Sequence, residues 1–156
     1  MTTPSSEITD LFLAKISDYR LDTIYTASGS FVLNTYVEGW LLDSIADFEN
    51  FCDQPLTYAV SGSLTEGEFT ETLTMTNKLM LSRFMVKYWL QKSINDTLQM
   101  QNHVTDRDFK TFSSAQNLSA KQSYLNSLKE ELSQAIIDYS YKRNDWSNWK
   151  NQIFDL

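Results

Sequence analysis

The chain has 156 residues and carries 20 acidic and 13 basic side chains, which give a net charge of -7. This length is typical of one domain, and a composition of 42% hydrophobic and 21% charged residues is that of a globular protein rather than a disordered one. The negative charge argues against general binding to nucleic-acid phosphates, and the single cysteine, Cys52, excludes an intramolecular disulfide and a cysteine-cluster metal site.

The beginning of the chain, "MTTPSSEITD", is polar and acidic and does not have the apolar core of a signal peptide. No apolar run approaches the roughly 18–20 residues that a bilayer span needs. We therefore expect a soluble protein that is made in a reducing compartment.

Two helices are predicted in the first part of the chain. The first begins with Thr3 as a possible cap and Pro4 at the first helical position, and its apolar side chains recur at helical spacing. Between Asp18 and Ser30 the pattern loosens, and "TASGS" predicts a loop. The second helix runs from a cap at Ser30 towards Pro55. Its apolar stripe consists of Leu33, Tyr36, Val37, Trp40, Leu41, Ile45, Phe48 and Cys52.

Gly39 lies in the middle of this second helix. A glycine there costs about 1 kcal/mol relative to alanine. We therefore expect another backbone to approach the helix closely at this position.

The rest of the chain predicts a hairpin and two long helices. Near-alternating β-branched and aromatic residues indicate a hairpin at about 56–74. A third helix, apolar on nearly all sides, runs from about residue 74 or 76 to about 100 and should lie at the centre of a core. A last helix begins near Ser113 or Ser114, with an apolar stripe formed by Leu118, Leu125, Leu128, Leu132, Ile136 and Tyr139.

No combination of residues indicates catalysis. His103 is the only histidine and lies in a polar stretch, and Cys52 lies on the apolar stripe of the second helix. Asp43 and Asp47 share a helix face and could form half of a divalent-metal site, although a solvated surface explains them better. We expect no enzyme activity, no cofactor and no bound metal. A carboxylate enzyme that uses a divalent cation stays open as a minor alternative.

The C-terminal segment is rich in large rings, with Trp146, Trp149 and Phe154 among its last residues. One interpretation folds these rings over the end of the bundle. The other makes the segment a docking arm, because tyrosine, tryptophan and arginine are enriched at interface hot spots. The sequence thus predicts a mainly α protein, with a bundle of about four helices and a small hairpin in a domain at 1–141 and an extended arm at 142–156.

The order of these elements resembles the head–tail connector, or adaptor, proteins of tailed bacteriophages, which form a ring below the portal. The resemblance covers most of the chain and rests on patterns of hydrophobic residues with a few polar markers. The segments that carry it are "LFLAKISDYRLD", "YVEGWLLDSIADFENFC", "FTETLTMTNKLMLSRFMVKYWL", "DFKTFSSAQNLSAKQSYLNSLKEEL" and "DYSYKRNDW".

This resemblance implies a structural virion protein rather than an enzyme. It implies a dodecameric ring at the head–tail interface, made in the host cytoplasm, that binds the portal protein, its own copies and neck or tail completion proteins. DNA would pass through the ring without sequence-specific binding, and no membrane is involved.

The resemblance also implies two sets of contact residues. Those that dock on the portal would be Tyr139, Tyr141, Lys142, Arg143, Trp146, Trp149 and Phe154. Those that face the neighbouring subunit or the next ring would be Ser61, Gly62, Ser63, Leu64, Thr65, Glu66 and Gly67.

The alternative is a cellular helical adaptor or regulatory protein that binds one partner through the same aromatic arm. Closure of copies into a ring would separate the two interpretations.

Overall fold

Four helical elements and three short strands make up the part of the chain that a computed structural model describes, which is residues 2–59, 67–103 and 112–143. The helices are α1 (Ser5–Leu13), α2 (Tyr19–Phe48), α3 (Met75–His103) and α4 (Phe112–Arg143). The strands are β1 (Thr3–Pro4), β2 (Tyr58–Ala59) and β3 (Glu68–Phe69). The predicted helical bundle with a small hairpin is confirmed.

Helix α3 lies at the centre of the bundle and packs against α1, α2 and α4. Its side chains are buried on several sides, with Leu81 and Met85 fully inaccessible. A helix with apolar residues around most of its circumference can be stable only when other elements cover it. The apolar run from Leu79 to Leu90 therefore places α3 at the centre.

The N-terminus joins the hairpin and does not cap α1 as predicted. Thr3 and Pro4 form an edge strand, and the sheet order is β1-β3-β2 with antiparallel pairing throughout. The Thr3 hydroxyl donates to the Glu71 carbonyl (3.0 Å) and accepts the Leu73 N–H (2.8 Å). Pro4 is the residue that precedes α1, and it makes no side-chain cap. An edge strand suits proline because it has no N–H to donate.

The stretch predicted as the loop "TASGS" is helical on both sides of Gly29, and α2 already begins at Tyr19. The carboxylate of Asp18 caps this helix by accepting the backbone N–H of Arg20 (2.9 Å). The irregularity is confined to Gly29, where φ is 83° and ψ is 176°. This backbone region is open almost only to glycine, and Gly29 forms a kink between two helical segments of α2, the second of which begins beside the predicted cap Ser30.

The expectation for Gly39 is not met among the described residues of the subunit. Apart from the adjoining backbone of α2, no described atom lies within 4 Å of a Cβ placed at Gly39, and the residue is exposed. No other described element of the subunit therefore comes into contact at this point of α2.

Candidate functional site at the ends of helix α4

The C-terminal end of α4 is fixed to the bundle through Tyr139. Its ring packs edge-on against Phe48, with 5.4 Å between the ring centroids. Its hydroxyl donates to the carboxylate of Asp53, accepts the Asp53 backbone N–H (3.0 Å), and lies 2.8 Å from the amide oxygen of Asn77. One side chain thus joins α4 to the end of α2 and the beginning of α3.

Asn77 connects these hydrogen bonds to further parts of the fold. Its fully buried amide nitrogen donates to Asp53 (2.9 Å) and to the amide oxygen of Gln54 (2.7 Å). Gln54 in turn donates to the Thr72 carbonyl (3.1 Å) and accepts the Thr74 N–H (2.9 Å). No buried side-chain nitrogen or oxygen lacks a partner in the described part of the chain. We name Asp53, Gln54, Asn77 and Tyr139 the anchor network.

The electrostatics of the anchor network favour neutral groups around Asp53. Burial, followed by the hydrogen bond to Asp53, raises the pKa of the Tyr139 hydroxyl. Burial also raises the pKa of the adjacent Cys52 thiol. A neutral phenol and a neutral thiol are not activated nucleophiles, so the arrangement is suited to holding α4 in place.

Of the predicted portal-docking residues, one belongs to this anchor and three lie in the last turn of α4. The contacts of Tyr139 differ from those expected of a docking residue, because its ring and its hydroxyl both contact other parts of the subunit. Tyr141 is 58% exposed and Lys142 is exposed, both in the last turn of α4. Arg143 is the last residue of α4. Trp146, Trp149 and Phe154 lie outside the described residues.

Of the predicted inter-subunit loop, Ser61, Gly62, Ser63, Leu64, Thr65 and Glu66 lie outside the described residues, and Gly67 is described. The Gly67 carbonyl accepts the Ser5 N–H (2.9 Å), which joins the loop end to α1. A Cβ at Gly67 would clash with the Tyr58 hydroxyl, which donates to Glu38. Gly67 therefore has a packing role in the subunit.

Of the acidic pair on α2, Asp43 is exposed, whereas Asp47 is used in contacts within the fold. Asp47 accepts hydrogen bonds from Lys87 and from the Tyr88 hydroxyl (2.7 Å). Burial alone would raise the pKa of Asp47, but these hydrogen bonds and the charge of Lys87 outweigh it and lower the pKa. Burial and the bond to Asp47 raise the pKa of Tyr88. Across residues 2–59, 67–103 and 112–143, no group of three or more His, Cys, Asp or Glu residues is arranged to hold a metal ion.

Sequence reasoning missed a pocket near the other end of α4. There Lys121 lies beside Ser93 and Thr97 of α3, and the same pocket is lined by Lys92 and by Arg20 of α2. Lysines on two different helices give no local pattern in the sequence, so only the packing of the helices brings them together.

Comparisons with known proteins give no relative for this chain. No family model, no curated protein and no solved structure matches it. In the described ranges, none of the helices combines the length and the apolar character needed to cross a membrane.

Proposed function

We propose that the chain is a structural subunit of a phage head–tail connector. In this proposal copies of the chain form a ring between the portal and the neck or tail, and the C-terminal segment docks on the portal. DNA passes through the ring without being held.

The observation that carries the proposal is the arrangement at the end of α4. Tyr139 fixes the helix, and Tyr141 and Lys142 are exposed immediately beyond it. The sequence that follows contains Trp146 and Trp149. Aromatic and basic side chains of this kind are enriched at interface hot spots. Because the anchor network holds the helix end, these docking residues would leave the bundle from a defined point.

The surface of α2 supports contacts between copies. Its exposed large apolar side chains are Tyr19, Tyr25, Val32, Tyr36 and Leu42, with exposed fractions from 42% to 83%. Exposed apolar side chains that cluster on one element are typical of interaction surfaces. A ring needs such surfaces, since each subunit contacts two neighbours through different faces.

The charge of the chain is compatible with a DNA passage. A protein that holds DNA neutralises several phosphates with lysine and arginine. A chain with 20 acidic and 13 basic side chains offers few such contacts, so DNA could move past it.

The proposal is tested by binding to the portal protein encoded in the same genome. Trp146→Ala together with Trp149→Ala should abolish binding and leave the free energy of unfolding unchanged. Tyr124→Ala is the matched control, because Tyr124 is a 53% exposed ring elsewhere on α4. It should bind as the unmodified chain does.

Two results would contradict the proposal. If the chain does not bind the portal protein under any condition, it is not a connector. A one-to-one complex with a host protein through the same tryptophans, without ring formation, would instead support the cellular adaptor.

A further inference from the structure

A pocket of about 440 Å³ lies between the beginning of α2, the second half of α3 and the first half of α4. Its polar lining includes Asp18, which caps α2, Arg20 of α2, Lys92 and Asp96 of α3, and Lys121 of α4. We name it the cationic pocket, because it contains three cations and two carboxylates in a chain that is strongly acidic.

Both carboxylates of the cationic pocket already have partners. Asp96 accepts a hydrogen bond from the Arg20 guanidinium at 2.8 Å. Asp18 accepts the indole N–H of Trp89 (2.7 Å) and the backbone N–H of Arg20 (2.9 Å). These bonds leave the two lysines without a carboxylate partner in the described part of the chain.

The two lysine ammonium groups donate only to hydroxyls among the described residues. Lys92 donates to the Tyr36 hydroxyl (2.9 Å), while Lys121 donates to Ser93 (3.0 Å) and Thr97 (3.5 Å). An ammonium has three N–H donors. These contacts use one donor of Lys92 and two of Lys121, so both lysines have donors to offer to an anion. By contrast, Lys78 and Lys87 are paired with Glu7 and Asp47.

The wall of the cationic pocket is aromatic. The Lys92 ammonium lies 4.8 Å from the centre of the Tyr36 ring and 5.9 Å from that of Trp40. Trp89 also lines the pocket and is held by its bond to Asp18. Rings of this kind provide apolar area beside a polar group, and a hydrogen bond to a charged group is stronger than one between neutral groups.

We propose that the cationic pocket binds an acidic protein segment through one Asp or Glu carboxylate that is flanked by an apolar side chain. The excess of one positive charge matches a single carboxylate, and the aromatic wall fits the apolar neighbour. Duplex or single-stranded DNA fits less well, because phosphate tracking uses several cations along a groove and Asp18 and Asp96 would lie close to the backbone. This site is separate from the proposed portal-docking segment and does not depend on it, and it shares Tyr19 and Tyr36 with the apolar surface of α2.

The test uses the full-length chain labelled with ¹⁵N and two capped dipeptides, acetyl-Phe-Glu-amide and acetyl-Phe-Gln-amide. The indole N–H signal of Trp89, assigned with a Trp89→Phe variant, reports on the pocket. The glutamate peptide should shift this signal saturably, and the glutamine peptide should bind about tenfold more weakly, because a hydrogen bond to a charged group is stronger than one to a neutral group.

Lys92→Met combined with Lys121→Met should lower the affinity for the glutamate peptide by at least about tenfold. Lys129→Met is the matched control, because Lys129 is an exposed lysine of α4 outside the pocket, and it should change nothing. If the double variant loses stability, Lys121→Gln alone should still weaken binding in a folded chain.

Three outcomes would overturn the inference. One is equal binding of the glutamate and glutamine peptides. The same holds if neither peptide shifts the signal up to about 20 mM, because so low an affinity would leave only a negligible binding free energy. Another is unchanged binding in the lysine variants. The third is an oligonucleotide that shifts the Trp89 signal at a lower concentration than the glutamate peptide, since this would make the pocket a phosphate site.

Discussion

The two ends of α4 use polar side chains in opposite ways. Towards its C-terminus, Tyr139 enters a network in which Asn77 and Gln54 are hydrogen-bonded on all sides. Towards its N-terminus, Lys121 shares a pocket with Lys92, and neither lysine has a carboxylate partner in the described residues. A saturated network contributes to stability, because removal of one member leaves buried groups unpaired. A cluster with donors to spare contributes little to folding and can bind a ligand.

The largest effect is expected from Asn77→Ala, at the centre of the anchor network. This change removes the two hydrogen bonds that Asn77 donates to Asp53 and Gln54, and it opens a cavity at a fully buried position. The free energy of unfolding, measured in urea, should fall by about 3 kcal/mol. Asn50→Ala, at an exposed position of the same residue type, is the control and should have almost no effect. A small loss for Asn77→Ala would show that the network is not a stabilising element.

Tyr139→Phe should have the next largest effect. It keeps the ring on Phe48 but removes the hydroxyl that joins Asp53 to α4. We expect a loss of about 1 to 2 kcal/mol in the free energy of unfolding. Tyr124→Phe removes a hydroxyl from an exposed ring on the same helix and should be neutral. Equal effects of the two changes would refute the distinction between the ends of α4.

The same tyrosine should make stability depend on alkaline pH. Its pKa is raised in the folded protein, whereas a tyrosine of the unfolded chain titrates near pH 10.0. The folded state therefore holds the proton more tightly. Its stabilising contribution is fully present below pH 10.0 and is lost as the pH rises through the folded pKa. The free energy of unfolding should fall less steeply for Tyr139→Phe than for the unmodified chain between about pH 8 and about pH 11. Identical slopes would mean that the hydroxyl is not held as described.

The smallest effect on stability is expected at the other end of the helix. Lys121→Met should change the free energy of unfolding by less than about 0.5 kcal/mol, because among the described residues the lysine bonds only to half-exposed hydroxyls. The same variant should still lose affinity for the glutamate peptide. A large loss of stability would give Lys121 a structural role like that of Tyr139.

Periodicity along the sequence was sufficient to predict α3, most of α4 and the hairpin, because each depends on local spacing of apolar residues. It also placed Tyr139 on the apolar stripe of the last helix, and the packing of its ring on Phe48 agrees with that signal. The resemblance to connector proteins had instead implied docking for this residue. Where the two signals differ, the position on the stripe is the better guide to a side chain that packs inside.

Contacts between distant parts of the chain could not be predicted in this way. Thr3 bonds to a carbonyl 68 residues later, so nothing local to Thr3 indicates a strand. The kink in α2 depends on one backbone conformation at Gly29, and a loop and a kink have the same local composition. Lys92 and Lys121 line the same pocket only because α3 packs against α4.

The connector proposal is tested most directly by the mass of the full-length chain, alone and mixed with its portal, measured by multi-angle light scattering. The proposal predicts a complex whose mass exceeds that of the portal by a complete ring of subunits, and the loss of this complex when Trp146 and Trp149 are replaced by alanine. A chain that stays monomeric beside the portal under all conditions would contradict it.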